Sequence, residues 1–284
     1  MTKLAAGHFY FAGMTDVGRT RSHNEDCFSI DQELGLVLVA DGMGGHANGD
    51  LASRTAVEAV CDFIVEYAPD DTLPLALSPD DDTVDEADDD DDSEKTVVEK
   101  HAPELVGRDH PVALIRAAVQ LANQRINTLN QERGMPEGRG MGTTLVGLWL
   151  IREKRQAIVF HAGDSRLYRL RGGELQQLTH DHSLYQAWLD NGGHGQAPSR
   201  NIIVRALGMS GRIDPEISIH AIEIGDTFLA CSDGLTGMIE DPGIAELLRG
   251  VAPATIEDVC ARLVDQANAN GGRDNVTAVL AHWC

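Results

Sequence analysis

Apolar and polar positions change their period several times along the chain, and each change predicts an element. Phe9 to Met14, Cys27 to Ile30 and Leu36 to Ala40 are short runs of β-prone or small apolar residues and predict three strands. From about 49 to 67 the period lengthens to 3.6. Leu51, Thr55, Ala56, Ala59, Val60, Phe63 and Ile64 then share one side of a helix that Asn48 or Gly49 would cap. A second helix is predicted over about 111 to 131, with Val112, Ile115, Val119, Ala122, Ile126 and Leu129 on its apolar side. Beyond 142 strands return: Thr143 to Leu150, Gln156 to Ala162, Arg166 to Leu170, and Leu175 to Leu178 across the turn Gly172-Gly173. Their short connections require antiparallel neighbours.

A polar region over about 180 to 200 holds a short helix around His182 to Leu189, followed by the glycine-rich Asn191 to Gly195. Strands at Ile217 to Ile222 and Thr227 to Cys231, a helix near 254 to 267 and a last strand, Val276 to Ala281, complete the pattern. There is no internal repeat and no second hydrophobic domain. The fold class is α+β, with the strands in two sheets.

Charge adds one feature that the pattern does not show. The 284 residues carry 45 acids against 23 Lys plus Arg, a formal net charge of -22. Positions 80 to 94 hold eleven acids and no base, so this run supplies half of the excess. Strong self-repulsion and few apolar groups predict a disordered acidic insertion over about 69 to 108, between the first two helices. A chain this acidic is not expected to wrap nucleic acid or to sit on an anionic membrane. The five cysteines are scattered, odd in number and without a Cys-x-x-Cys, which argues against a disulfide framework and for a reducing compartment. With no signal-peptide h-region and no apolar run of spanning length, the expectation is a cytoplasmic protein, and nothing in the sequence calls for more than a monomer.

Three aspartates stand at the edge of an apolar strand beside glycine or a polar turn: Asp41-Gly42 after Leu36 to Ala40, Asp233-Gly234 after Thr227 to Cys231, and Asp274-Asn275 before Val276 to Ala281. Asp164, in Gly163-Asp164-Ser165-Arg166, is a fourth between two strands. Any one alone is a common turn former. Four brought together would repel one another unless cations were present. Mg²⁺ or Mn²⁺, which take oxygen ligands including water and backbone carbonyls, answer that need, and the absence of a His and Cys set speaks against zinc.

Seven segments together carry a family resemblance: Arg21-Ser22-His23-Asn24-Glu25-Asp26, Val39 to His46, Met141-Gly142-Thr143-Thr144, His161 to Arg166, Leu178 to Ser183, Cys231 to Thr236 and Gly271 to Thr277. In this order they resemble the motifs of the PP2C-type metal-dependent protein serine/threonine phosphatases, bacterial branch. The resemblance covers nearly the whole chain. It implies a single PP2C-like domain, a central antiparallel β-sandwich flanked by helices, with two Mn²⁺ or Mg²⁺ ions at one edge and a weaker third. By this likeness Asp41 bridges the two ions, Asp233 and Asp274 complete one shell, and the Gly42 carbonyl serves the other. Glu25 meets the second ion directly or through water, Asp26 orients water, Asp164 holds the third ion with Asp233, and Arg21 grips the substrate phosphate. The implied substrates are phosphoserine and phosphothreonine proteins, and the implied counterpart is a Ser/Thr kinase.

The chemistry is consistent with these roles on its own terms. A metal pair acidifies water and clamps the transferring oxygens, and an arginine adds a permanently cationic, bidentate grip on phosphate. His46 is placed to donate a proton or to play a structural part. His161 is expected at the edge of the core, and Asp181 and Ser183 as local capping groups in a substrate-side flap. Two other readings stay open at this stage: hydrolysis of small phosphoesters, and a catalytically silent binding protein on the same fold. The acidic insertion is either a solubilising segment or a filter that discriminates between substrates or docks a basic partner.

Overall fold

The computed structural model describes residues 7–44, 48–68, 111–136 and 138–284. His46 and the predicted acidic insertion at 69–108 lie outside the described residues. The elements follow the order β1 (Phe9–Asp16), β2 (Asp26–Asp31), β3 (Leu36–Met43), α1 (Asn48–Tyr67), α2 (Pro111–Glu132), β4 (Gly142–Thr143), β5 (Leu145–Ile151), β6 (Gln156–Ala162), β7 (Arg166–Arg171), β8 (Glu174–Gln177), α3 (Leu184–Asp190), β9 (Glu216–Ala221), β10 (Thr227–Cys231), α4 (Asp233–Thr236), α5 (Asp241–Leu248), α6 (Ile256–Ala269) and β11 (Val276–Trp283). This is an α+β fold with central β-sheets flanked by helices.

The strands form two antiparallel sheets, one ordered β1-β11-β10-β7-β8 and the other β2-β3-β5-β6-β9, with β4 added beside β3. Alternation along each strand decides what each face touches. On β3, Leu36, Leu38 and Ala40 pack with α1 and α2, while Val37 and Val39 point the other way. On β10, Leu229 and Cys231 pack with α5 and α6, while Phe228 and Ala230 join Val37 and Val39 in a third apolar cluster. The central strands are thus covered on both faces, which explains why they read as continuous apolar runs rather than as clean alternation.

Helix α5 was not anticipated from the pattern. Its apolar side is carried by Ile244, Ala245 and Leu248 over only eight residues, too short a window for a periodic signal. Pro242 in its first turn was the available cue. Of the five cysteines, Cys231 and Cys260 are buried core residues, Cys27 and Cys61 are half-buried, and Cys284 is exposed; none is disulfide-bonded. Among the described residues no helix is long and apolar enough to cross a membrane.

The register sets up the site. Asp26 opens β2 and pairs across to Asp41 near the end of β3, so both acids sit at one edge of the second sheet. Cys231 at the end of β10 pairs with Ala278 near the start of β11, which puts Asp233 and Asp274 at one edge of the first. The segment Gly163-Asp164-Ser165 is the crossover from β6 in one sheet to β7 in the other.

Candidate active site

Asp41, Asp26, Asp233, Asp164 and Asp274 converge at this edge, close enough that the other four all act on the Asp41 carboxyl. Burial, and then repulsion from Asp26, Asp233, Asp164 and Asp274, push Asp41 well above the usual carboxylate range. Asp26 is raised to about 7, mainly by burial and further by Asp233 and Asp274, although hydrogen bonds from Thr277 and Ser232 work against the shift. Burial raises Asp164 to about 7 as well, with help from Asp233 and Asp181. Asp233 is raised by burial and by Asp274, against a hydrogen bond from Asp41.

The scaffold beneath these acids is made of backbone and hydroxyl groups from distant motifs. Ser232 Oγ and Thr277 Oγ1 donate to Asp26 Oδ2 at 2.7 and 2.6 Å. The Asp41 backbone is held on both sides: its N–H donates to Thr144 Oγ1 at 3.0 Å, and its carbonyl accepts from Thr143 Oγ1 and Thr144 N at 2.9 Å each. Thr144 Oγ1 also meets Ser165 Oγ at 2.7 Å, joining the β4–β5 turn to the Asp164 crossover. Asn275 accepts the Glu25 N–H and donates to the Val17 and His23 carbonyls, tying the loop ahead of β2 to the start of β11. Arg21 reaches across to Asp274, Nη2 to Oδ2, at 2.7 Å.

Two glycines allow the loops to approach this closely. A Cβ at Gly49 would fall 2.8 Å from Glu25 Oε1, and one at Gly234 only 1.9 Å from the Asn275 carbonyl oxygen. Glu25 therefore lies buried against the first turn of α1.

Whether the cluster suits a cation is answered by two of its atoms. Glu25 Oε1 and Asp26 Oδ1 are buried and have no hydrogen-bond partner, two of only three such side-chain atoms among the described residues. Buried acceptors are normally satisfied, and leaving carboxylate oxygens bare beside other raised aspartates is costly. A divalent ion with oxygen preference would supply the missing positive charge, directly or through its waters, and the all-oxygen donor set fits Mg²⁺ or Mn²⁺.

Beside this cluster lies a second group with ligand-type atoms. His161, His182 and Glu216 bring one such atom each within 4.8 Å of one another, close enough for one ion to bridge. Their hydrogen bonds give the rings different work. His182 Nδ1 accepts the Gly163 N–H at 3.1 Å, while its Nε2 lies 3.4 Å from Glu216 Oε2 and 3.2 Å from Arg205 Nη1. His161 stacks on it, centroids 4.5 Å apart, with Nε2 against the His180 carbonyl at 2.8 Å. Burial lowers both rings, His182 to about 4 with added repulsion from His161 and the Arg205 guanidinium, so both are neutral near pH 7. The pair is a pin that holds the Gly163 turn and hence Asp164.

Asp181 departs from its expected role. Instead of capping locally, it clamps Arg166 through three hydrogen bonds of 2.6 to 3.1 Å, and Arg166 Nη1 continues to Tyr168 Oη at 2.9 Å. Ser183 does cap, its Oγ accepting from Gln186 N at the start of α3. Sequence reasoning passed over Ser232 as a separate contributor, together with the histidine pin, because each acts on a residue far away in the chain. The Ser-Asp dipeptide and the His-Ala-Gly-Asp tetrapeptide were the only cues.

Comparison with known proteins agrees with this geometry. Residues 18–281 match the family model for protein phosphatase 2C. The serine/threonine phosphatase stp of Listeria monocytogenes is 33% identical over 274 residues, covering 94% of this chain and 92% of that protein. The protein phosphatase PhpP of Streptococcus pneumoniae is 35% identical, covering 94% of each. Among solved structures, PppA of Pseudomonas aeruginosa superposes with a TM-score of 0.73 at 30% identity over 98% of both chains. The catalytic domain of the serine/threonine phosphatase PstP, solved in complex with 2 manganese ions, gives 0.73 at 29% identity, covering 98% of this chain and 99% of that one. A family model spanning nearly the whole chain, relatives at a third identity and superposition on solved phosphatases lead to one conclusion: the chain belongs to the protein phosphatase 2C family, bacterial branch, the metal-dependent serine/threonine protein phosphatases.

Proposed function

We propose that the aspartate edge is the metal centre and that the protein removes phosphate from phosphoserine and phosphothreonine in proteins, opposing a Ser/Thr kinase. The observation that carries this reading is the convergence of Asp26, Asp41, Asp164 and Asp233 from both sheets, each raised by burial and mutual repulsion, beside two bare carboxylate oxygens. In this reading Asp41, Asp233, Asp274, Glu25 and the Gly42 carbonyl would hold the two principal ions, with Asp41 common to both. Asp164 and Asp233 share a third. When bound, Mn²⁺ or Mg²⁺ supplies an acidified water and positive charge for the phosphoryl oxygens.

The chain's own residues do the rest. Asp26, gripped by Ser232 and Thr277, points its free Oδ1 inward and orients water. Arg21 is half-exposed, and Asp274 holds one arm of its guanidinium fork. Its remaining N–H donors are available to two phosphate oxygens, and the charge stays on throughout. Thr143 and Thr144 hold the Asp41 backbone, so this carboxylate does not need to reorganise as charge develops on the transferring group.

The same reading treats residues 1–284 as a single PP2C-like domain, a β-sandwich with helices outside, interrupted by the acidic insertion at about 69–108. It also places the protein in the cytoplasm, on its unpaired cysteines. The test is hydrolysis of a phosphothreonine peptide at neutral pH with Mn²⁺, with Mg²⁺ and with EDTA, by the protein and by Asp233→Ala. Activity that requires either ion and falls by at least about 100-fold in the variant supports the reading, since several kcal/mol of charge stabilisation is removed. Full activity in EDTA, or an unaffected variant, contradicts it.

A further inference from the structure

Next to the aspartate edge is a cavity of about 170 Å³, room for one side chain. Its lining includes Asp164 and Asp233 from the aspartate edge, and Tyr185, Gln186, Leu189, Arg200 and Asn201 from α3 and the segment after it. The cavity therefore opens from the reacting centre onto the flap. What it accepts depends on which of its charges are already spent.

Asp164 and Asp233 are assigned to cations in the reading above, and this inference rests on that reading. Arg166 and Asp181, both lining the cavity, neutralise each other through a bidentate pair. Gln186 spends its amide on Asp190, and Ser183 caps α3. Arg200 is left. Its guanidinium lies over the Tyr185 ring, 4.5 Å from the centroid, and Nη2 donates to Tyr185 Oη at 3.1 Å. No carboxylate pairs with it among the described residues. An arginine seated on an aromatic face is already oriented, so a further hydrogen bond from its fork costs little ordering.

We propose that this cavity is a specificity subsite, in which Arg200, positioned by Tyr185, binds an anionic side chain that flanks the phosphorylated residue of the substrate. The ligand chemistry is a carboxylate of Asp or Glu, or a second phosphate. Both present two oxygens to the guanidinium fork. With the metal-ligand charges and the Arg166–Asp181 pair balanced, Arg200 is the one uncompensated charge of the cavity. It selects for acid even though the molecule as a whole is strongly negative, because a close, oriented pair outweighs a distant field screened by salt.

The test uses the full chain with Mn²⁺ and a set of phosphothreonine peptides. In them one neighbouring residue, moved along either side, is Ala, Lys, Asp or a second phosphothreonine; p-nitrophenyl phosphate is run alongside. A charge-assisted hydrogen bond predicts that kcat/KM for the best Asp or doubly phosphorylated peptide exceeds the Ala peptide by about tenfold, mostly through KM. Arg200→Gln brings that ratio to about one. Arg200→Lys, which keeps the charge and loses the fork, retains part of it, and Tyr185→Phe, which keeps the ring and loses the hydroxyl, gives an intermediate ratio. A larger gain from the second phosphate than from Asp assigns the subsite to multiply phosphorylated segments; the reverse assigns it to acidic ones. Equal rates on Ala and acidic peptides, a preference for Lys, or an acid preference that survives Arg200→Gln overturns the proposal and leaves the phosphatase reading intact. Hydrolysis of neither the peptides nor p-nitrophenyl phosphate overturns both.

Discussion

Strand β10 carries an aspartate at each end, and the two are treated in opposite ways. Asp226, just before the strand, has no exposed surface, and every oxygen is answered: Arg171 donates to both oxygens at 2.7 and 2.6 Å, and Glu223 N adds a third bond at 2.9 Å. Asp233, just after the strand, faces Asp41, Asp164 and Asp274 instead of an arginine of its own. A fold that satisfies its acid fully at one end of five residues is able to do so at the other. That it leaves the second end unpaired is the physical ground for the proposal that cations bind there.

Substitution of Asp226, and of Asp41, whose carboxyl faces Asp233, should separate the two roles most widely. Asp226→Asn breaks a buried pair and is expected to cost about 2–3 kcal/mol of stability by denaturant unfolding, while the folded fraction keeps its metal binding. Asp41→Asn should do the reverse, making the metal-free fold more stable by removing a repelled carboxylate. Equal destabilisation by both would erase the contrast.

A pH series sharpens it. Asp26 has a folded-state value of about 7 against 3.8 when unfolded, so folding favours its protonated form. Its contribution to the stability of metal-free protein is fully present below 3.8 and is lost as pH rises through about 7. Metal-free wild type should therefore lose a few kcal/mol relative to Asp26→Asn between about pH 4 and 7. Saturating Mn²⁺ should remove the difference in slope. Parallel profiles without metal would contradict the placement of a desolvated carboxyl, further repelled by its neighbours, at this edge.

The smallest effect concerns the hydroxyls. Ser232→Ala removes one donor to Asp26 and one acceptor for Thr277 N, and should cost about 1 kcal/mol of stability. Its sharper readout is metal affinity by calorimetry, expected to weaken by about tenfold. An unchanged affinity would mean that Ser232 only supports the loop.

Much of this architecture is legible in the amino-acid sequence. Gln156–Ala162 and Thr227–Cys231 appear with the predicted bounds, because buried strands flanked by turn residues give an unambiguous local signal. The four glycine-flanked or turn-flanked aspartates could be picked out, and the structure brings them to one edge. The partners that hold them could not be read. Ser232 meets Asp26 across 206 positions and Thr277 meets it across 251, and no spacing rule links residues so far apart. The same holds for Asp181, which looks like a capping residue in its local context and becomes the clamp of Arg166 only when β7 and the loop after β8 are placed side by side. Local chemistry names the acids, whereas tertiary pairing decides which of them are neutralised.

The most direct test of the account is the melting temperature of wild type and Asp41→Asn at pH 7, each with EDTA and with Mn²⁺ at about a hundred times the wild-type Kd. The account predicts that Mn²⁺ raises wild type by about 5 °C or more, that Asp41→Asn in EDTA melts above metal-free wild type, and that Mn²⁺ adds little to the variant. An equal Mn²⁺ shift in both proteins would contradict it, and would move the ion to His161, His182 and Glu216.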